Sequence, residues 1–293
     1  MIIVSRPKKI IDTFTFVLLF MVIALMFIFP MAYVVGNSFR DTQAIWSNAY
    51  PFSLKTFFSF EDFNLEGYLY SLGLTAKAKF QGVNISHNLF ISFMSSICVV
   101  ASSLVFSTCA AYFFARVPFP RKKIMLVFVV ATMMIPQQVV IVPLYFVAKA
   151  LNLINTFWAL VIPWYSSPFV VFLLIQFFSD IPYELDEAAF VDGATRLQIL
   201  WHIILPSAIP GLLTVCLMEF QFIWNEYFWP LIAIGSTRLQ PIQVAIASQF
   251  TESNQNWGAV FATMVLASLP IILLFLFAQK YFYVSVASSG IKG

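Results

Sequence analysis

Residues 179–206 read Ser-Asp-Ile-Pro-Tyr-Glu-Leu-Asp-Glu-Ala-Ala-Phe-Val-Asp-Gly-Ala-Thr-Arg-Leu-Gln-Ile-Leu-Trp-His-Ile-Ile-Leu-Pro. The stretch lies between two long apolar runs, too polar to cross a bilayer and too regular to be a plain loop. It predicts helix, turn, helix. Asp180 is placed to cap the first helix, Pro182 sits early where no N–H is needed, and Glu184, Asp186 and Glu187 put negative charge near the positive end of the helix dipole. Gly193 supplies the stop. Thr195 and Gln198 have the spacing of a capping box, and Leu197, Ile199, Leu200, Ile203 and Ile204 carry an apolar face on to the breaker Pro206.

What flanks this hairpin is hydrocarbon-like. Of 293 residues 61% are hydrophobic and 10% charged, with 34 Phe and a mean hydropathy of +0.88, which leaves too little charge to cover a water-facing surface. Thr13–Phe39, Asn88–Ala115, Ile124–Ala148 and Ala150–Ser179 are charge-free. Further apolar segments run from Pro206 to about Ile234 and from about Val260 to Ala278. Six transmembrane helices result, an all-α membrane protein. Pro136, Pro143, Pro163 and Pro168 punctuate the third and fourth spans, as buried membrane helices tolerate.

Basic residues next to the spans set the orientation. Arg6, Lys8, Lys9, Arg116, Arg121, Lys122, Lys123, Lys280 and Lys292 fall on one side if both termini are cytoplasmic. Two segments, Arg40 to His87 and Gly235 to about Gly258, then face outward. The first is expected to fold against the membrane surface or a partner.

Several chemistries are excluded. Sixteen Lys plus Arg without a dense basic face argue against nucleic acid. Cys98, Cys109 and Cys216 are an odd set in apolar stretches, and His87 and His202 are far apart, so neither a disulfide framework nor a metal centre is expected, and no catalytic residue stands out. No G-x-x-x-x-G-K-[ST] loop is present, so the chain binds no nucleotide cofactor and cannot hydrolyse ATP unaided.

Two acids inside the fifth span draw attention, because ionisable groups at such depth usually face a protein interior or an aqueous cavity. Glu219 lies thirteen residues past Pro206, roughly 20 Å along a helix. Glu226, seven residues further, is expected on about the same face, with Phe222 and Ile223, beside a polar stripe of Gln221 and Asn225. This face either lines the route of a polar solute, with the Phe222 ring stacking on a sugar, or serves packing with Glu219 protonated or paired. An ion- or proton-coupled secondary transporter, with both acids as relays, is the competing class.

Glu187-Ala188-Ala189, three residues, Gly193, nine residues, then Ile203-Ile204-Leu205-Pro206 resembles the EAA loop of the membrane permeases of binding-protein-dependent ABC importers. Asp192-Gly193-Ala194, Trp224-Asn225-Glu226, Phe228-Trp229-Pro230-Leu231 and the terminal Ser289-Gly290-Ile291-Lys292-Gly293 are similar to its carbohydrate-uptake, MalG-like branch. The resemblance covers roughly Asn88 to Gly293. It implies a type I importer permease of the bacterial cytoplasmic (inner) membrane working by alternating access. The expected partners are a second homologous permease in a heterodimer, an ATP-binding subunit dimer carrying ATP and Mg, an extracytoplasmic solute-binding protein and membrane lipid.

On this reading residues 1–12 are a cytoplasmic tail, 13–39 the first transmembrane helix, 40–87 an extracytoplasmic loop, 88–285 the permease core containing the loop 180–206, and 286–293 a second cytoplasmic tail. Glu187, Ala188, Ala189, Asp192, Gly193, Leu205 and Pro206 are implied to couple to the ATPase. Both small alanines are expected to permit close approach of that partner. Glu226 matches an acidic position in the family's triplet and is expected to act near the outer gate. Gln255, Asn256 and Trp257, at the tip of the second outer loop, are either binding-protein contacts or part of a solvated connector.

Overall fold

The computed structural model describes residues 6–57, 59–251 and 256–289. Among them regular structure is entirely helical, and the chain forms two compact units, one from Met1–Ile85 with Ser248–Ser268, the other from Ser86–Ala247 with Leu269–Gly293.

In the first unit, helix α1 (Arg6–Asn37) holds a candidate span, Thr15–Asn37, in whose most apolar window no residue is buried by the rest of the chain. An apolar perimeter of this kind belongs in lipid or against another subunit. The segment after it, predicted to rest on the membrane or a partner, has a folded interior of its own. Short helices at Thr42–Ser47, Leu54–Phe57, Glu66–Ser71 and Ala76–Gln81 surround the buried Arg40, whose guanidinium donates to Asn37 Oδ1 at 3.1 Å and to the Lys55 carbonyl at 2.6 Å. Burial pushes the Arg40 pKa down from its usual value, against the pull of Asp62.

The residues before Ser268 close this unit. Ser71 Oγ donates to the Ala259 carbonyl at 3.0 Å, and Thr263 Oγ1 donates to Ser71 Oγ at 3.0 Å. The approach is made at glycine. A Cβ at Gly67 would stand 2.7 Å from the Gly258 carbonyl oxygen, and one at Gly258 would fall on the carbonyl oxygen of Arg40.

In the second unit the elements are α2 (Ile85–Arg116), α3 (Lys122–Met133), α4 (Gln137–Ala150), a 3₁₀ stretch Phe157–Trp164, α5 (Pro168–Ser179), α6 (Glu184–Val191), α7 (Arg196–Ser207), α8 (Ile209–Trp224), α9 (Phe228–Ala233) and α10 (Ile242–Thr251), whose last turn belongs to the first unit. Helix α11 (Trp257–Ser289) begins in the first unit and ends in the second.

Among the described residues three helices are long and apolar enough to cross a membrane alone: Thr15–Asn37, Ile85–Arg116 and Trp257–Gln279. The predicted third, fourth and fifth spans are broken. The α3–α4 pair bends by 97°, Phe157–Trp164 with α5 by 44°, and α7–α8 by 81°, so six spans exist when each bent pair counts as one. Proline stands at each break: Pro136 precedes α4, Pro168 opens α5 after the 3₁₀ stretch, and Pro206 and Pro210 flank the α7–α8 corner.

Replacing Gly258 by alanine should lower the thermal unfolding temperature by an amount corresponding to about 1–3 kcal/mol, the usual cost of forcing a methyl into filled space. A melting curve superimposable on the parent's would contradict the close approach to Arg40.

Candidate functional site

The quoted hairpin is α6, a turn and α7. Gly193 has φ +83 with open space where a Cβ would be, so glycine is used there for its left-handed backbone and not for room. Thr195 and Gln198 form the predicted capping box, with the Thr195 N–H donating to Gln198 Oε1 at 2.8 Å and the Gln198 N–H to Thr195 Oγ1 at 3.4 Å. Asp180 differs from expectation. It ends α5 in helical geometry, its N–H bonded to the Gln176 carbonyl, while α6 starts at Glu184 without a side-chain cap. An N-cap needs extended backbone, which Asp180 has already given up.

Within α7 the ladder widens to a π turn over Leu200–Ile204, the Leu205 N–H reaching back to the Leu200 carbonyl. Pro206 has no N–H to bond the His202 carbonyl, and the wider turn precedes it directly. One apolar cluster then holds the hairpin to the ends of three spans: Ala111, Tyr112 and Val117 of α2 and the residue after it, Leu174 and Phe178 of α5, Ile199, Leu200 and Ile204 of α7, and Val215 of α8.

This packing divides the predicted coupling residues. Ala189 is buried in the cluster and Leu205 packs against it, whereas Glu187, Ala188, Asp192, Gly193 and Pro206 are exposed. The two alanines thus have opposite duties, because at 100° per residue only one can face the core. Ala189 lets α6 approach its own chain, and Ala188 is the small residue presented outward. Around it stand exposed Leu185, Phe190, Val191, Leu197 and Trp201, a mixed apolar and acidic face.

The five predicted path residues meet at one cavity. A space of about 540 Å³ is lined by Glu219, Gln221, Phe222, Asn225 and Glu226 together with Ser167, Phe169 and Met218. They do not meet as one helical stripe. α8 ends at Trp224 and Asn225 is its C-cap, so Glu226 lies beyond the helix, and Ile223 turns away to pack with Val99 and Val161. Glu219 is buried, with the hydroxyls of Ser103 and Ser167 as hydrogen-bond partners. Phe222 stays half exposed, edge-on to Trp164 at 5.8 Å between centroids.

Glu226 has two fixed partners. Its Oε1 accepts from the Trp229 N–H at 3.0 Å, capping α9, and its Oε2 accepts from Gln137 Nε2 at 2.9 Å at the start of α4. The carboxylate therefore joins the turn between α8 and α9 to the break between α3 and α4. Ser103 and Ser167 went unread in the sequence, although both left a trace there. Ser167-Pro168 has the order of an N-cap and first helical residue, and buried Ser92, Ser96, Ser103 and Ser107 repeat at 4, 7 and 4 residues along α2.

The outer-loop candidates separate as well. Gln255 lies outside the described residues. Asn256 Oδ1 accepts from the Ala259 N–H at 3.2 Å as a helix cap, and it borders a polar hollow of about 360 Å³ with Asp41, Glu66 and Lys77. Trp257 is held internally, its N–H on Thr42 Oγ1 at 2.9 Å and its ring edge-on to Trp46 and Phe250.

With this geometry in place, comparison with known proteins is informative. The family model described as "Binding-protein-dependent transport system inner membrane component" matches residues 103–287, which includes the hairpin and the cavity. The probable ABC transporter permease protein YurM of Bacillus subtilis is 32% identical over 272 residues, 90% of this chain and 84% of that protein. The arabinooligosaccharides transport system permease protein AraQ of Halalkalibacterium halodurans is 28% identical over 94% of both chains. The trehalose/maltose transport system permease protein MalG of Thermococcus litoralis is 31% identical over 67% of this chain and 71% of its own length. Among solved structures, a chain of a bacterial ABC transporter that imports the acidic polysaccharide alginate superposes with a TM-score of 0.80, covering 96% of this chain and 100% of that one at 23% identity. That likeness is one of fold.

Glu226→Ala should strand the Trp229 N–H and the Gln137 amide and cost about 1–3 kcal/mol, read as a lower unfolding temperature. Glu226→Gln, which keeps one acceptor, should lose less. Equal melting of the alanine variant and the parent would show that the joint carries no load.

Proposed function

The chain belongs to the family of binding-protein-dependent transport system inner membrane components, and from that premise we propose that it passes a sugar or related polyhydroxylated solute inward as one half of a permease heterodimer. It is a multi-pass permease subunit of an ABC importer in the inner membrane. ATP and Mg are handled on a separate ATPase dimer, and a solute-binding protein delivers cargo from outside.

The cavity lined by Glu219, Gln221, Phe222, Asn225 and Glu226 is the observation that carries the cargo class. Carboxylate and amide oxygens accept from hydroxyl groups, the amide nitrogens donate, and the Phe169 and Phe222 rings offer apolar faces of the kind a pyranose presents on one side. Relatives named for arabinooligosaccharide and trehalose/maltose transport point the same way. Asn256 and the polar hollow beside it are the part of the first unit best suited to contact the binding protein.

The coupling surface is the exposed side of α6. Glu187 offers a carboxylate to an Arg or Lys of the ATPase, Ala188 permits close approach, and Leu185, Phe190 and Val191 supply apolar contact. Asp192 and Gly193 hold the turn that aims this face. ATP must bind one conformation of the assembly more tightly than the other for the push on α6 to drive transport.

Affinity purification of the chain from its native membrane should bring down a homologous permease, an ATPase and ATP hydrolysis stimulated by the binding protein. In that complex Glu187→Lys, or a bulky residue at Gly193, should separate hydrolysis from solute uptake, uptake falling about tenfold or more for the loss of a charge-assisted contact. A lone homo-oligomer without ATPase, insensitive to both changes, would return the chain to the gradient-driven class. Glu219→Gln should change the rate or selectivity of uptake, measured with the solute retained by the copurified binding protein. Unaltered kinetics would take Glu219 off the path.

A further inference from the structure

At the inner end of α2, beneath the apolar cluster, lies a group of charged and hydroxyl side chains to which the coupling role assigns nothing. Arg116, 4% exposed, closes α2 and reaches two other elements. One guanidinium nitrogen donates to the carbonyls of Phe178 at 2.6 Å and Ile181 at 2.7 Å, at the end of α5. The guanidinium also stacks over Tyr183 at 5.7 Å from the ring centroid. Its other terminal nitrogen stands 3.9 Å from Asp186 Oδ1 on α6. That separation is an ion pair but too long for a hydrogen bond.

Three buried polar atoms in this group lack hydrogen-bond partners among the described residues: Arg116 Nε, Asp186 Oδ1 and the hydroxyl of Tyr112, one turn before Arg116 on the same face of α2. Tyr112 interacts electrostatically with Asp186, Arg196 and Arg116. Burial pushes the Asp186 carboxyl above the usual carboxylate range, against the pull of Arg116 and Arg196. A partly satisfied network at low dielectric is costly, and its missing bonds are regained by a small displacement that brings donor to acceptor.

We infer that Arg116, Tyr112 and Asp186 form a joint that is open in this conformation and closes in the alternate conformation of the transport cycle, Asp186 taking hydrogen bonds from both Arg116 and the Tyr112 hydroxyl when α6 is displaced. The inference rests on the transporter reading above. Asp186 faces inward from the same helix that presents Glu187 and Ala188 outward, so a force on one side of α6 acts on this joint on the other. Arg116 then ties the moving helix to the ends of α2 and α5. A contact made in one state only is what lets a local push bias a two-state equilibrium. These are positioning residues, acting on the spans through α6.

The test is Tyr112→Phe in the purified complex with its second permease, ATPase subunits and binding protein. The parent complex, whose hydrolysis must rise when its binding protein is added, first secures the transporter reading. In the present structure the hydroxyl has no hydrogen-bond partner among the described residues, so a purely structural account predicts that removing it changes nothing or slightly stabilises the complex. The joint predicts that binding-protein-stimulated ATPase falls about tenfold, as for a lost hydrogen bond to a charged group, with assembly and melting temperature kept. Added to Asp186→Asn it should cost little further, since that change already weakens the contact the hydroxyl makes along with the one from Arg116. Stimulated hydrolysis equal to the parent's in Tyr112→Phe, or loss only through a lower melting temperature, would overturn the inference. Should Asp186→Asn fail to assemble, Tyr112→Phe decides alone.

Discussion

Hydrocarbon offers no partner to a backbone N–H or C=O, and among the described residues three spans are nonetheless broken, each bent pair counted as one. Each unmet group there costs several kcal/mol, so a break persists only where side chains or neighbouring backbone take the place of water. The second unit is stitched accordingly. Glu226 supplies the acceptor at the start of α9 and reaches Gln137 beside the α3–α4 corner. Trp229 Nε1 donates to the Ala159 carbonyl at 2.7 Å. Asn155, at φ +59, gives its N–H to the Ala233 carbonyl and accepts from the Ser236 N–H. Asn88 donates to the Gln240 carbonyl at 2.7 Å, and Ser92 Oγ accepts from the Ile242 N–H at 2.7 Å. Apart from the Glu226 cap on α9, these contacts join segments 70 to 152 residues apart, and they fix where the cavity-lining end of α8 stops.

The hairpin follows a different rule. Its polar groups are met locally, by the capping box and the Gly193 turn, and its apolar side is spent on the cluster that unites α2, α5, α7 and α8. Close-packed interiors move as blocks and shift between discrete arrangements, so a helix seated in such a cluster carries its neighbours with it. The sharp α7–α8 corner adds direction: a displacement of the hairpin along α7 reaches α8, and with it Glu219 and Phe222, nearly crosswise.

What the sequence made legible was local or periodic. The apolar runs, the hairpin, the Thr195–Gln198 box and the stop at Gly193 each depend on residues a few positions apart, and their physics is complete within that window. The long-range consequences were not legible in the same way. Nothing in the spacing of Ala188 and Ala189 says which faces the core, because that depends on where Phe178 and Ile199 arrive from elsewhere in the chain. A continuous apolar run from Pro206 to Ile234 looks like one helix by hydropathy, which counts side chains and is blind to the backbone bonds that proline removes. The charge of Glu226 at depth is visible in the sequence, but its place beyond the end of α8 goes with bonds to Trp229 and Gln137 that only the folded chain brings together.

Polar side chains inside a membrane protein must be either satisfied within the protein or open to water, and both conditions are found at one cavity. Glu219, buried against Ser103 and Ser167, is held by hydroxyls on α2 and at the head of α5. Glu226 is held by a main-chain N–H at the start of α9 and by the Gln137 amide at the α3–α4 break. Between them Gln221, Phe222 and Asn225 remain exposed to the space. The carboxylates are thus anchored in the walls by protein groups while Gln221 and the Phe222 ring stay open to the space, and a site that must bind and release repeatedly is served by walls held in place around groups that exchange water for cargo.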